Sequence, residues 1–184
     1  TRVDKIYVGY ADKDNNYATV GEAVAAAAAM NPTSEADRIV ISIAPGTYRE
    51  QVTIDTPYIT LVNESEEEVL LTWYYGIGYK YYSADKNGYY DAECAYDKYA
   101  KNGPANWGYA VKVNKTATAF RAENIVFENS LNRYITDEEI EDGVEADTIN
   151  FDRKYGADVT SKAATERGVA LYVAADQAEF KNCS

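Results

Sequence analysis

The sequence predicts an all-β solenoid of stacked parallel strands, with one N-terminal capping helix and two long insertions. Three observations predict it. A single helix signal near the N-terminus is followed only by short β-branched or alternating runs separated by turn residues. One spacing recurs: Ile54-x6-Leu61-Val62-Asn63, Val113-x6-Phe120-Arg121-Ala122 and Val173-x6-Phe180-Lys181-Asn182, with leading residues 59 and 60 positions apart. A coil requires such rungs, because each turn buries its inward aliphatic residue against the same position of the next. Finally, the interval is long because two segments leave the coil, about 73–109 and about 131–167. Three loose matches also arise by chance in other β proteins, so the spacing by itself leaves other all-β architectures open.

The helix is expected over Thr19–Ala29. Thr19 is placed to cap it, Glu22 stands three residues later as a capping-box partner, and alanine has the highest helix propensity. Val20 and Val24 share its apolar side, and Asn31-Pro32 ends it. The strands follow: Arg38–Ala44, Val52–Ile54, Tyr58–Asn63, Val69–Trp73, Ala110–Asn114, Ala119–Glu128 and Val169–Ala174. No second clear helix is read.

A length of 184 residues fits one domain, 1–184, with a core of its own. Lys plus Arg is 18 and Asp plus Glu is 30, so 18 − 30 gives −12, with a pI near 4.5. That balance argues against nucleic acid and against an anionic membrane surface, both of which call for a basic surplus. Histidine is absent, which removes Ser-His-Asp and Cys-His nucleophile systems and histidine-ligated metals. Chemistry is left to carboxylates, amides and tyrosine. Cys94 and Cys183 are too few for a disulfide framework and wrongly spaced for zinc; they pair once or stay free. The sequence opens at Thr1 without a basic n-region or a long apolar run, as a mature or trimmed soluble chain would. Asn63, Asn114 and Asn182 each begin a glycosylation triplet, a pattern frequent by chance.

The first insertion holds ten of the 18 tyrosines and both tryptophans. Tyr and Trp offer apolar ring faces with a polar tip, which suits the wall of a carbohydrate groove; a long loop on a small coil also uses such residues to pack on itself. Gly76-Ile77-Gly78 lacks the third glycine and the βαβ setting of a dinucleotide loop. The second insertion carries seven acids between Thr136 and Asp147, without the spacing of a calcium loop, and reads as a solvated acidic segment.

Three stretches carry a family resemblance. Gly46-Thr-Tyr48-Arg-Glu50 resembles a GxYxE signature, Phe120-x-Ala-Glu-Asn124-Ile-x-Phe127-x-Asn129 resembles an F-x-A-x-N-I-T-F-x-N strand, and Arg167-Gly-Val-Ala-Leu-Tyr-Val173 with Asp176-x-Ala-x-Phe180-x-Asn-Cys183 resembles Q-A-V-A-L followed by D-x-A-x-F-x-N-C. In that order and spacing they resemble the pectin methylesterases of bacterial type, from about Ile6 to the last residue. The resemblance implies a right-handed parallel β-helix. It also implies a secreted enzyme that hydrolyses galacturonate methyl esters of pectin to methanol and free carboxylate, with no cofactor and no metal.

In that family an aspartate attacks the ester carbonyl, a second aspartate serves as acid and then base, glutamines stabilise the oxyanion and an arginine orients the nucleophile. The motifs that carry the aspartates, the second glutamine and the arginine (Q-D-T, D-F-I-F-G and G-R-P-W) do not occur in these 184 residues. The resemblance therefore implies the amino-terminal portion of such an enzyme, inactive by itself. Arg167 falls at the first oxyanion glutamine; its guanidinium could donate to an oxyanion, or instead bind a substrate carboxylate or an acidic neighbour. Tyr109 and Ala110, after Trp107-Gly108, fall near the family's substrate-contacting strand start. Tyr48 and Glu50 are expected to hold the fold, with Glu50 paired to backbone or to an arginine, and Asp176 to cap a turn. The competing reading is a non-catalytic β-helix module that binds polygalacturonate through its tyrosine-rich loop. A lyase on the same coil would need calcium-binding acids and a basic catalyst that cannot be placed. A solenoid with an uncapped end is expected to associate end to end.

Overall fold

The structure is a computed structural model, and it describes residues 4–73, 83–84, 90–91, 109–130 and 169–184. Residue contacts divide the chain into two compact units, one of Thr1–Thr72, Ala110–Glu128 and Ala170–Ser184, the other of Trp73–Tyr109 and Asn129–Val169.

The first unit opens with β1 (Lys5–Val8) and the short β2 (Asn16–Tyr17), followed by α1 (Val20–Ala29). The coils then begin. The first contributes β3 (Ile39–Ile43), β4 (Gly46–Arg49) and β5 (Val52–Ile54). The second contributes β6 (Ile59–Val62) and β7 (Val69–Trp73), and after the short β8 (Ser83–Ala84) and β9 (Tyr90–Asp91) it supplies β10 (Tyr109–Val113). The third contributes β11 (Arg121–Glu123), β12 (Val126–Asn129) and β13 (Val169–Val173), and β14 (Glu179–Lys181) starts a fourth. Each coil gives one strand to each of three sheets, ordered β2-β1-β3-β6-β11-β14, β5-β10-β13 and β4-β7-β12. The long sheet is parallel at every step. This is the parallel β-helix that the sequence predicts.

The registers show how the coils stack. Ile6, Ile41, Leu61, Ala122 and Phe180 form one continuous inward rung, and Ile54 lies on Val113 in the second sheet. The sequence spacing placed Ile54 on Val113 correctly but set Leu61 over Phe120. Leu61 in fact pairs with Ala122, two residues on. The turn after β10 is longer than its counterpart after β5, because three residues lie between Ile54 and Tyr58 whereas five lie between Val113 and Ala119, the matched corner position. A shift of two keeps the strand's inward face inward, so the alternation survives while the partner changes. Phe120 is fully buried, with its ring 5.8 Å from that of Phe180.

Corners repeat as well. Tyr58, Ala119 and Gln177 all adopt left-handed backbone, with φ of 59°, 60° and 60°. The Tyr58 N–H donates to Thr118 O and the Ala119 N–H to Asp176 O, so the three corners stack. After the strands comes an asparagine ladder. The Asn63 side chain donates to Asn124 O at 3.2 Å, and Asn124 Nδ2 donates back to Asn63 O at 3.1 Å. Asn124 and Asn182 are left-handed, a conformation that asparagine tolerates better than most residues. Asn124 breaks the expected Ala119–Glu128 strand into β11 and β12. Asn63, the most buried of the three triplet asparagines at 3% exposure, uses its amide within this ladder.

The helix seals the first coil with Val20, Ala23, Val24 and Ala27 buried. Thr19 caps it as expected, its hydroxyl accepting from Glu22 N–H at 3.1 Å. The other half of the cap comes from elsewhere: the Glu50 carboxylate accepts from Val20 N–H at 3.0 Å and from Gly21 N–H at 2.6 Å. Glu50 is thus paired to backbone, where its charge also faces the positive end of the helix. Tyr48 donates its hydroxyl to Ala44 O at 2.7 Å, close beneath Gly9, where a Cβ would stand 2.7 Å from that hydroxyl oxygen. Gly9 also has φ +76°, so both space and backbone require glycine.

β1, β4 and β14 are strands that the sequence reading did not draw. Each is only three or four residues long, too short for the alternation in KIYV and EFK to mark a strand by itself, and the pairing of each with a neighbouring coil fixes it.

In the second unit, β8 and β9 pair antiparallel. Ser130 donates its backbone N–H to Trp73 O at 2.7 Å, and the Asn129 side chain donates to Val169 O at 3.4 Å. These bonds tie the exit of the second excursion to the exit of the first and to its own return.

Replacing Glu50 with alanine removes both side-chain acceptors from the helix N-terminus and is expected to lower unfolding free energy by about 1–2 kcal/mol. Glu22→Ala should cost less, since Glu22 enters the cap only through its backbone N–H. Urea unfolding midpoints of the two variants check the order.

Candidate functional site

Two surfaces of the coil carry polar chemistry. The first is the outer face of the six-stranded sheet, an open groove of about 440 Å³ lined among others by Arg38, Thr60, Val62, Glu64, Arg121 and Glu123. Its cations are engaged. Arg38, with a side chain only 9% exposed, forks onto Glu35 through Nε at 2.6 Å and Nη2 at 2.8 Å. It also donates to Thr60 Oγ1 at 3.1 Å and Ala119 O at 2.7 Å, so one guanidinium joins three successive coils. Arg121 bridges Glu35 and Glu179, both at 3.2 Å. The planar fork of arginine suits such multidentate bonding, and lysine would not reproduce it. This groove is a brace. The sequence reading missed it, since Glu35, Arg38, Arg121 and Glu179 meet only when the coils stack.

Electrostatics follow the pairing. The hydrogen bond from Arg38 holds the Glu35 carboxyl below its ordinary 4.5. At the sheet's other end Lys5 and Glu64 meet at 2.7 Å. The Lys5 hydrogen bond, aided by one from Ser42, pulls Glu64 below 4.5, and the same bond raises Lys5 above 10.5. Burial raises the Tyr48 phenol above its ordinary 10.0.

The second surface is the outer face of the sheet β5-β10-β13. Tyr109 and Ala110 begin β10, and both are buried, Tyr109 at 7% exposure and Ala110 at 0%. Alternation turns Val111 and Val113 into the core and sets Lys112 on the outside. Trp107 and Arg167 lie outside the described residues, as do Cys94 and the acidic stretch 136–147. Asp176 sits in the turn before β14, its carbonyl accepting from Ala119 N–H at 3.2 Å. Cys183 is a free thiol whose Sγ lies 3.5 Å from Ala122 O. Among the described residues no group of three or more Cys, Asp or Glu is placed to hold a metal ion.

Comparison with known proteins meets the same family. No protein-family profile matches the chain. A stretch of 68 residues is 40% identical to "Probable pectinesterase 50" of Arabidopsis thaliana, covering 36% of this chain and 18% of that protein. Among solved structures, pectin methylesterase PemA from Erwinia chrysanthemi aligns over the whole chain and 43% of its own length, at 20% identity and a TM-score of 0.55. Carrot pectin methylesterase aligns over 99% of this chain and 39% of its own length, at 20% identity and 0.54. A pectin methylesterase in complex with a hexasaccharide gives 20% identity and 0.57, again over 43% of its length. The chain is similar to pectin methylesterases, as its motifs indicated, and the solved structures share its fold. Both a bacterial and a plant enzyme are among them, and the chain spans under half of each.

The ion pairs fix a pH dependence. A carboxyl whose folded pKa is depressed stabilises the fold above its unfolded value, and that contribution fades as pH falls through the folded value. Glu35 and Glu64 should therefore make the melting temperature decline below about pH 4.5. Lys5, raised in the folded state, adds stability that is complete below pH 10.5 and is lost as pH rises beyond its folded value. Glu64→Gln should flatten both limbs relative to the parent. Melting curves from pH 3 to pH 11 test this, and identical profiles for the two proteins would refute it.

Proposed function

We propose that this chain is the amino-terminal portion of an extracellular pectin methylesterase, supplying the helical cap, the first coils and part of the substrate wall. The observation that carries the reading is the match of sequence to architecture. The GTYRE segment supplies the strand and the carboxylate that seal the helix, and the FRAENIVFEN segment supplies the corner asparagine and the strands on either side. The 40% identity of a 68-residue stretch to a pectinesterase supports it.

The reaction on this reading is hydrolysis of a galacturonate methyl ester. Water replaces methoxide at the carbonyl, giving carboxylate and, after proton transfer, methanol, with no cofactor. The aspartate nucleophile and the aspartate acid–base group belong to motifs that these 184 residues lack, so further coils would supply them. Arg167 stands at the oxyanion position, and Trp107, Tyr109 and Ala110 belong to the substrate-contacting stretch.

The 184-residue chain by itself should release no methanol from methyl-esterified pectin, whereas a longer polypeptide with the downstream coils should release it steadily. Gas chromatography of the headspace reads both. A longer polypeptide that binds pectin and yields no methanol would favour the non-catalytic polygalacturonate-binding module.

A further inference from the structure

Three asparagines open an N-x-Ser/Thr triplet, and the coil holds them differently. Asn63 is 3% exposed and its amide is fully engaged: Nδ2 donates to Glu67 O at 2.7 Å and to Asn124 O at 3.2 Å, and Oδ1 accepts from the Ser65 hydroxyl at 2.7 Å. Both the nitrogen and the hydroxyl that such a triplet offers are taken up in the asparagine ladder. Asn182 occupies the same ladder position one coil after Asn124, on left-handed backbone. Its triplet is laid onto the stack, with Cys183 Sγ 3.5 Å from Ala122 O and Ser184 N–H donating to Ile125 O at 3.2 Å. Asn114-Lys115-Thr116 stands apart. It forms the turn after β10, closed by Ala117 N–H donating to Asn114 O at 2.9 Å, and Lys115 and Thr116 are exposed. Asn114 Nδ2 donates to Asp55 Oδ1 in an exposed bond. An amide nitrogen carries two hydrogens, so one can be replaced while the other keeps Asp55.

The structure assigns Asn114, alone of the three, as an acceptor for an N-linked glycan. This inference rests on the extracellular reading above and goes beyond it by naming a modification. The donor is a lipid-linked oligosaccharyl pyrophosphate. Nδ2 bonds to the anomeric carbon, the bond from that carbon to the pyrophosphate oxygen breaks, the lipid pyrophosphate leaves with the electron pair, and Nδ2 gives up one proton. A bulky, solvated glycan is accommodated on a surface turn. On Asn63 it would displace Asn124 from the ladder, so a chain that carried it there would not close its coils.

The test is secretion of the 184-residue chain from a eukaryotic host, followed by peptide N-glycosidase digestion in heavy-oxygen water, which converts each glycosylated asparagine to a labelled aspartate. Peptide mass mapping should find the label at position 114 and at neither 63 nor 182. Before digestion the intact chain should be heavier by a single glycan. Thr116→Ala leaves the Asn114 amide and its bond to Asp55 in place and should lose the glycan completely, whereas Thr116→Ser should keep it. Circular dichroism confirms that each variant folds. An unlabelled position 114, a label at 63 or 182, or a glycan that survives Thr116→Ala would overturn the assignment. Methanol release by the longer polypeptide reads the esterase proposal separately. Release with Asn114 bare removes the glycan site only, and a glycan on Asn114 without release leaves the site standing and removes the esterase.

Discussion

Each coil can bury its inward side chain only against a coil that presents one at the same height, and nearly everything else in the first unit depends on that registry. The rung through Ile6, Ile41, Leu61, Ala122 and Phe180 shows both the demand and its tolerance. A slip of one residue would turn the rung outward, while a shift of two, as at the long turn before Ala119, changes partners and keeps the core dry. Small Ala122 between Leu61 and Phe180 is matched by fully buried Phe120 nearby, whose ring leans toward Phe180. Volume is thus shared among neighbouring positions instead of being fixed residue by residue, as packed cores allow.

Registry also sets the polar interactions. Because strands of successive coils run parallel, like side chains line up, and an asparagine at a corner can bond to the asparagine of the next coil. The Asn63 and Asn124 amides exchange bonds with each other's backbone carbonyls, which satisfies groups that a tight corner would otherwise leave unpaired. Arg38 does the same across the long sheet, reaching backbone and hydroxyl groups on two further coils. Those bonds are part-buried, whereas its partner Glu35 is more than half exposed and water screens that ion pair.

The distribution of charge separates two faces. On the long sheet, arginines and carboxylates neutralise one another and the groove between them braces the coils. On the sheet β5-β10-β13 the strands are free of acids, and Lys112 with Tyr172 gives that face an aromatic and cationic character.

The sequence by itself determined the class of fold, the capped helix, six strands to within a residue of their observed limits and the placing of Ile54 on Val113, because alternation, alanine content and cap residues act over a few positions. Its motif resemblance also reached the family that the solved structures share. Tertiary structure alone decided the rest. β1, β4 and β14, of three or four residues each, are strands because a neighbouring coil offers a ladder. Glu50 rather than Glu22 completes the helix cap, since a carboxylate from the next strands reaches the free N–H groups. Arg38, Arg121, Glu35 and Glu179 converge from three coils, and Lys112 meets Tyr172 across 60 residues of sequence. Such contacts are invisible to local pattern because the turn lengths that set which residues meet vary from coil to coil, by two residues at the turn after β10.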